Sequence, residues 1–104
     1  MSTFDERESA FENKYAHDEE MQFRAIARRN KLLGLWAAGL LGKSGDDAMN
    51  YAMEVVRADM NEPGDEDVFR KVYADLEGKA DAATVRERMA TLTVEAKAQI
   101  FSEA

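Results

Sequence analysis

Through most of this chain the apolar residues return at three- and four-residue steps. That spacing gathers them on one face of a helix but scatters them over both faces of a strand. The punctuation agrees. One proline, at position 63, and six glycines interrupt 104 residues. The intervals between them are rich in Ala, Glu, Lys, Arg, Leu and Met, the residues that favour helix. The expectation is an all-α protein, a compact four-helix bundle carrying a mobile N-terminal arm. The arm is residues 1–18 and the four-helix domain residues 19–104.

Four segments carry the helical period. The first, from about Glu19 to Leu41, repeats through Phe23, Ile26, Ala27, Leu33, Ala37, Leu40 and Leu41, with Leu32, Leu35 and Trp36 widening the stripe. Trp36 lies in the densest apolar run and is expected in the core. The second runs from about Asp46 to Met60 with Ala48, Met49, Ala52, Val56 and Met60 on one face. The third runs from about Asp65 to Glu77 with Val68, Phe69, Val72 and Leu76. The fourth runs from about Ala82 to Phe101 with Val85, Met89, Leu92, Ala96 and Ile100. Gly42 and Gly45 flank the first break, with Ser44 or Asp46 as the next N-cap. Pro63 ends the second helix, and the acids after it suit the positive end of the third helix's dipole. Gly78 stops the third helix and Asp81 caps the fourth.

Residues 1–18 differ. They hold five acids, two bases and, after Met1, only three large apolar residues, Phe4, Phe11 and Tyr15. Those three would form one narrow stripe on a helix, too thin to fold alone. Such a segment gains order by folding against a partner.

The net charge of −7 disfavours nucleic acid and anionic membrane surfaces as partners and suits a basic protein surface. No cysteine is present, which excludes disulfides, thiolate metal sites and a thiol nucleophile. The first residues are acidic and mixed, unlike a signal peptide. The longest apolar run, residues 32–42, is too short to span a bilayer. A monomeric, cytoplasmic protein without direct membrane insertion is expected.

Three patterns invite chemistry. Residues 37–45, Ala-Ala-Gly-Leu-Leu-Gly-Lys-Ser-Gly, satisfy the loose form of a phosphate-binding loop. That motif works when a strand delivers a glycine loop to a helix N-terminus. Here a hydrophobic helix precedes the glycines, so a helix stop followed by an N-cap is the better reading. Residues 59–70 resemble a calcium loop, with Asp59, Asn61, Gly64, Asp65 and Asp67 at suitable positions. Pro63 and Arg70 stand where ligands are needed, and a cation at the last position opposes a site. His17, the one histidine, lies beside Asp18 and can titrate near neutrality. It leaves no credible Ser–His–Asp system and no histidine-based metal cluster. No catalytic residue, metal or cofactor is expected.

Charge order is more informative. After Asp18, Glu19 and Glu20 come Arg24, Arg28, Arg29 and Lys31 with no acid between them. A basic band on an acidic protein, next to an acidic arm, is either a solvated face or a docking surface.

The stretch "TFDERESAFENKYAHDEEMQFRAIARRNKLLGLWAAGLLG" and the later "EPGDEDV" resemble the zeta subunit of alphaproteobacterial F-type ATP synthases, a small inhibitor of the ATPase. "AHDEE" and "RRNKLLGLWAA" are its most recognisable pieces, and the likeness is weakest after Lys79. The resemblance implies a four-helix fold whose N-terminal region enters a catalytic interface of the ATPase head and meets the central rotor, placing the protein at the inner membrane's periphery. Carried over by position, the inhibitory stretch is about Ser2 to His17. Phe4, Phe11 and Tyr15 would be apolar contacts, and Asp5, Glu6, Arg7 and Glu8 charged ones. His17, Arg24, Arg28 and Arg29 complete the expected partner-binding set. The alternatives are a helical adaptor without inhibitory activity and a nucleotide-binding protein using Gly42, Lys43 and Ser44.

Overall fold

The computed structural model describes residues 19–58 and 65–103, all in helices or the short links between them. The helices are α1 (Glu19–Leu40), α2 (Gly45–Ala58), α3 (Glu66–Asp75) and α4 (Ala82–Glu103). The all-α, four-helix expectation holds. The arm expected at residues 1–18 lies outside the described residues, as does Met60 at the expected end of the second helix.

Helix α1 is the spine. It packs along α2 and α4, and the shorter α3 bridges α2 and α4. The larger core cluster joins Leu33, Ala37 and Ala38 of α1 to Tyr51 and Val55, to Val68, Phe69, Val72 and Leu76, and to Val85, Met89 and Leu92. A smaller cluster of Met21, Ala25 and Ile100, with Phe101 against it, joins the start of α1 to the end of α4. The two long helices therefore run antiparallel.

The expected stripes of the last two helices are the buried ones. Val68, Phe69, Val72 and Leu76 are buried, as are Val85, Met89, Leu92, Ala96 and Ile100. The stripes of the first two need correction. In α1, Phe23, Ile26 and Leu40 are exposed. The buried positions are Met21, Ala25, Arg29, Leu33 and Ala37, one row of four-residue steps, and beside it Asn30, Gly34 and Ala38. Ala25, Gly34, Ala37 and Ala38 are small, so neighbouring backbones approach closely there. An added Cβ on Gly34 would sit 2.6 Å from Ala52 Cα and 3.1 Å from Ala52 Cβ. In α2 the buried face is Tyr51, Ala52 and Val55, while Met49 is exposed. Tyr51 enters the core because its hydroxyl donates to Asp75 Oδ2 at 2.8 Å, so that its own polar atom is paired. Burial, helped by that bond to a carboxylate, pushes the phenol's pKa up.

Trp36 is half-buried rather than central. It packs on the edge of the larger cluster with the Arg88 guanidinium 5.3 Å from its ring centre, a cation–π contact.

Two helix ends follow the expected punctuation, at Gly42 and Asp81, whereas α3 ends at Asp75, short of the expected stop at Gly78, and Pro63 lies outside the described residues. Gly42 takes φ 77°, Lys43 N donates to Ala38 O at 2.9 Å and Gly42 N to Gly39 O at 3.2 Å. Those two bonds are a Schellman motif, which satisfies the last carbonyls of α1. Asp81 caps α4, its carboxylate accepting from the Thr84 amide at 2.8 Å. Bonds from Thr84, side chain first and then backbone, hold the Asp81 carboxyl below its ordinary range.

Candidate functional site

The basic band does not survive as one surface. Residues 24, 28 and 31 advance by about one helical turn each and stay on one side of α1. Position 29 is rotated about 100° from 28, which aims Arg29 into the protein. Arg29 is 4% exposed. It is the member of the expected set that the structure removes from solvent, so it is not on a docking surface.

Its guanidinium is nevertheless well occupied. Nε donates to Asn30 Oδ1 at 2.8 Å, one terminal nitrogen to Thr93 Oγ1 at 3.3 Å and the other to Asp65 Oδ1 at 2.8 Å. One buried arginine thus ties α1 to α4 and to the residue preceding α3. Asp65 stands at the N-cap of α3 but makes no side-chain capping bond there. Its carboxylate faces Arg29 instead, and that hydrogen bond holds its pKa below the ordinary carboxylate value.

Arg24 and Arg28 remain outside. Arg24 pairs with Glu20 one turn back at 2.7 Å, with both side chains largely in water. Such a pair contributes about 0.3–0.5 kcal/mol and is easily exchanged for another carboxylate. Arg28 forks onto Glu103 at 2.9 and 3.0 Å and donates to Gln99 Oε1 at 2.7 Å. The Arg28 bond keeps the Glu103 carboxyl below its ordinary range.

These cations border a groove of about 430 Å³ whose walls are Phe23, Arg24, Ala27, Arg28 and Lys31 of α1, Met53 and Val56 of α2, and Ile100 and Glu103 of α4. Phe23 is 69% exposed and Met53 39% exposed. An apolar floor with cations along one rim suits an amphipathic acidic peptide. The periodicity of the sequence hides this groove, because Phe23 reads there as a core residue. Lys31, absent from the expected contacts, has no carboxylate within ion-pairing distance among the described residues.

The phosphate-loop reading fails on geometry. Ala37 and Ala38 are fully buried core residues of α1. Gly42 belongs to the helix-ending turn, and α2 begins at Gly45. The stretch is a helix–helix link, with helix rather than strand before it. In the calcium-like stretch, residues 59–64 lie outside the described residues. Of its later positions, Asp65 is held by Arg29, and Asp67 lies 3.6 Å from Arg70. Arginines occupy both carboxylates. Among the described residues no group of three or more His, Cys, Asp or Glu side chains is placed to hold a metal. None of their helices is long and apolar enough to cross a membrane.

Phe4, Asp5, Glu6, Arg7, Glu8, Phe11, Tyr15 and His17 lie outside the described residues. Of the expected contacts, the structure places only the three arginines, and it brings only Arg24 and Arg28 together on one surface.

Comparison with known proteins supplies the identity. A solved structure, described as a solution NMR structure, is similar at 58% sequence identity and a TM-score of 0.74, over 81% of this chain and 99% of that one. No curated protein matches. The family of the ATPase inhibitor subunit zeta matches residues 1–99, both the acidic N-terminal segment and nearly all of the helical body. The chain belongs to the ATPase inhibitor subunit zeta family, whose members are inhibitor subunits associated with ATP synthase and not enzymes.

Proposed function

We propose that this chain blocks ATP hydrolysis by the catalytic head of the F-type ATP synthase, with residues 1–18 as the inhibitory element. In this reading the segment folds into a catalytic interface and reaches the central rotor. Phe4, Phe11 and Tyr15 supply apolar contact, Asp5, Glu6, Arg7, Glu8 and His17 polar contact, and Arg24 and Arg28 extend the interface onto the body. Arg29 has only a structural part. The observation that carries the reading is the extent of the family match. It begins at residue 1 and so includes a segment with too few apolar residues to build a core of its own. A segment of that composition is explained by a partner more readily than by packing within the chain.

The physical mechanism is coupled folding and binding. Ordering the segment costs conformational entropy, which contacts inside a closing interface must exceed. An interface that opens and closes during turnover admits the segment in one state and clamps it in the next. A clamped segment stops rotation in the hydrolysis direction, and rotation in the synthesis direction expels it. The free protein is a monomer, and its place in the cell is the cytoplasmic side of the membrane that holds the synthase.

The test is inhibition of a purified cognate ATPase head by the full chain and by a variant lacking residues 2–17. Inhibition by the full chain that vanishes with the segment supports the reading. No inhibition by either would favour a helical adaptor, and intrinsic ATPase activity a nucleotide enzyme.

A further inference from the structure

The groove between α1, α2 and α4 has the chemistry of a peptide site, and one peptide is always near it. We propose that the groove is the resting place of the chain's own residues 1–18 when no other protein is bound. The contact is self-docking and weak, and it competes with any external use of the segment. It stands independently of the ATPase reading, because it concerns the protein alone.

Charge is the first argument. The protein is net acidic, and residues 1–18 hold five acids against two bases. The groove is an exception to that field: Arg24, Arg28 and Lys31 line it, against Glu103 as its one lining carboxylate. Arg28 is already forked onto Glu103. Arg24 shares only an exposed pair with Glu20, and Lys31 stands clear of described carboxylates. Two cations are thus available to the acids of the segment at little cost.

Shape is the second. Phe23 and Met53 stand exposed at the edges of a floor made by Ala27, Val56 and Ile100. Phe11 and Tyr15 are four residues apart, so they would share one face if that stretch became helical. The space of about 430 Å³ lies in the lower part of the range in which compact ligands are held, about 300–1,000 Å³. It therefore takes a few side chains rather than a whole helix face.

Reach is the third. Residue 18 immediately precedes α1, and the groove begins at Phe23, about one turn into that helix. From Phe23 to Lys31 the groove follows α1 for about 12 Å. Eighteen residues span up to about 60 Å when extended, ample for a reversal followed by a run back along α1. Tethering at that distance gives an effective concentration in the millimolar range. A contact too weak to form between separate molecules is therefore substantially populated within one.

The absence of cysteine allows a single probe. A nitroxide on Ser9→Cys in the otherwise unchanged full chain reports where the segment spends its time, through loss of NMR signal intensity in the body. The expected result is loss at Ala27, Met53, Val56 and Ile100 and none at Thr84 and Thr91 on the outer face of α4. The loss should fall in high salt and in the Arg24→Glu, Lys31→Glu double variant, whose fold circular dichroism monitors. Both replaced side chains reach solvent, so the bundle should tolerate the change. Phe11→Ala should weaken the effect without touching the body. Uniform loss over all faces, or none, would overturn the proposal. So would loss that appears only between labelled and unlabelled molecules and grows with concentration, which would assign the groove to a second copy.

Discussion

Arg29 of α1 meets Asp65 at the head of α3 across 2.8 Å, with the arginine side chain 4% exposed and the aspartate 59%. The pair is lopsided. Removing the aspartate leaves a charged group in the interior that still has Asn30 and Thr93. Removing the arginine leaves a hole and deprives Asn30, whose Nδ2 already has no hydrogen-bond partner among the described residues.

Arg29→Ala should therefore cost more than Asp65→Asn. We expect about 2–4 kcal/mol for the first, from lost packing and lost hydrogen bonds. We expect about 1–2 kcal/mol for the second, since breaking a buried pair is expensive but water reaches the aspartate side. Urea melts of the two variants test the order. Equal losses would mean that Arg29 contributes only through its charge.

Stability should fall on acidification. The folded-state pKa values of Asp65, Asp81 and Glu103 all lie below ordinary carboxylate values. Their contribution is complete above the unfolded-state value of about 4 and disappears as pH falls through the lowered values, because the unfolded chain then binds more protons. Asp65→Asn should flatten this dependence in melts across that window. Tyr51 acts at the opposite end. Its pKa is raised, so its contribution is complete below about pH 10 and is lost as the unfolded phenol ionises above it. An unchanged acid slope in Asp65→Asn would remove the Arg29 bond from the account.

How much of this was legible depended on the company each apolar residue kept. Val85, Met89, Leu92, Ala96 and Ile100 form a stripe whose intervening residues are mostly exposed, and periodicity found all five. In α1 the same four-residue row runs through Arg29, and Asn30 lies beside it. A hydrophobic count skips both and drifts onto Phe23 and Ile26. Nothing local marks Arg29 as buried while Arg24 and Arg28 are not. Its partners Asp65 and Thr93 are 36 and 64 residues away, so only the tertiary fold selects it. Tyr51 was missed for the same reason, since its place depends on Asp75. The groove was invisible because it is made by three helices, each with an unremarkable surface. The helix ends at Gly42 and Asp81 were readable because their bonds span only three to five residues.

Gly34→Ala should destabilise the bundle although alanine is the better helix former. Helix propensity favours the change by about 1 kcal/mol. Against it, the new Cβ would sit 2.6 Å from the Ala52 backbone, and α1 and α2 must separate along their whole contact. Overpacking of this kind costs about 1–3 kcal/mol, and here backbone rather than a movable side chain must yield. We expect a net loss of up to about 2 kcal/mol in denaturant melts. A gain would show that the two helices adjust freely.

Trp36→Ala should cost about 2 kcal/mol, less than the 3–5 kcal/mol of a buried aromatic. The ring packs on the rim of the larger core and keeps one face toward Arg88. Arg88→Ala should accordingly lose only about 0.5–1 kcal/mol, the size of an exposed cation–π contact. Tryptophan fluorescence provides a second reading. Its emission should lie between those of buried and solvated indole, and a fully buried spectrum would restore Trp36 to the interior.

The division of labour between segment and body gives the last prediction. A chain without residues 2–17 should keep its helical circular dichroism and its melting behaviour. The core clusters draw on residues 21–101, and the removed segment has only three large apolar side chains to offer. The same chain should fail to inhibit a cognate ATPase head. Phe11→Ala and Tyr15→Ala should each weaken inhibition about tenfold or more, as the loss of an aromatic anchor of about 1.4–2 kcal/mol does. Lys43→Ala should change neither stability nor inhibition. Lys43 is exposed, and its backbone amide, not its side chain, donates to Ala38 at the end of α1. Inhibition curves beside dichroism melts decide each case. If Lys43→Ala removes inhibition while the shortened chain retains it, the inhibitory element is not the N-terminal segment, and the link between α1 and α2 becomes the place to look.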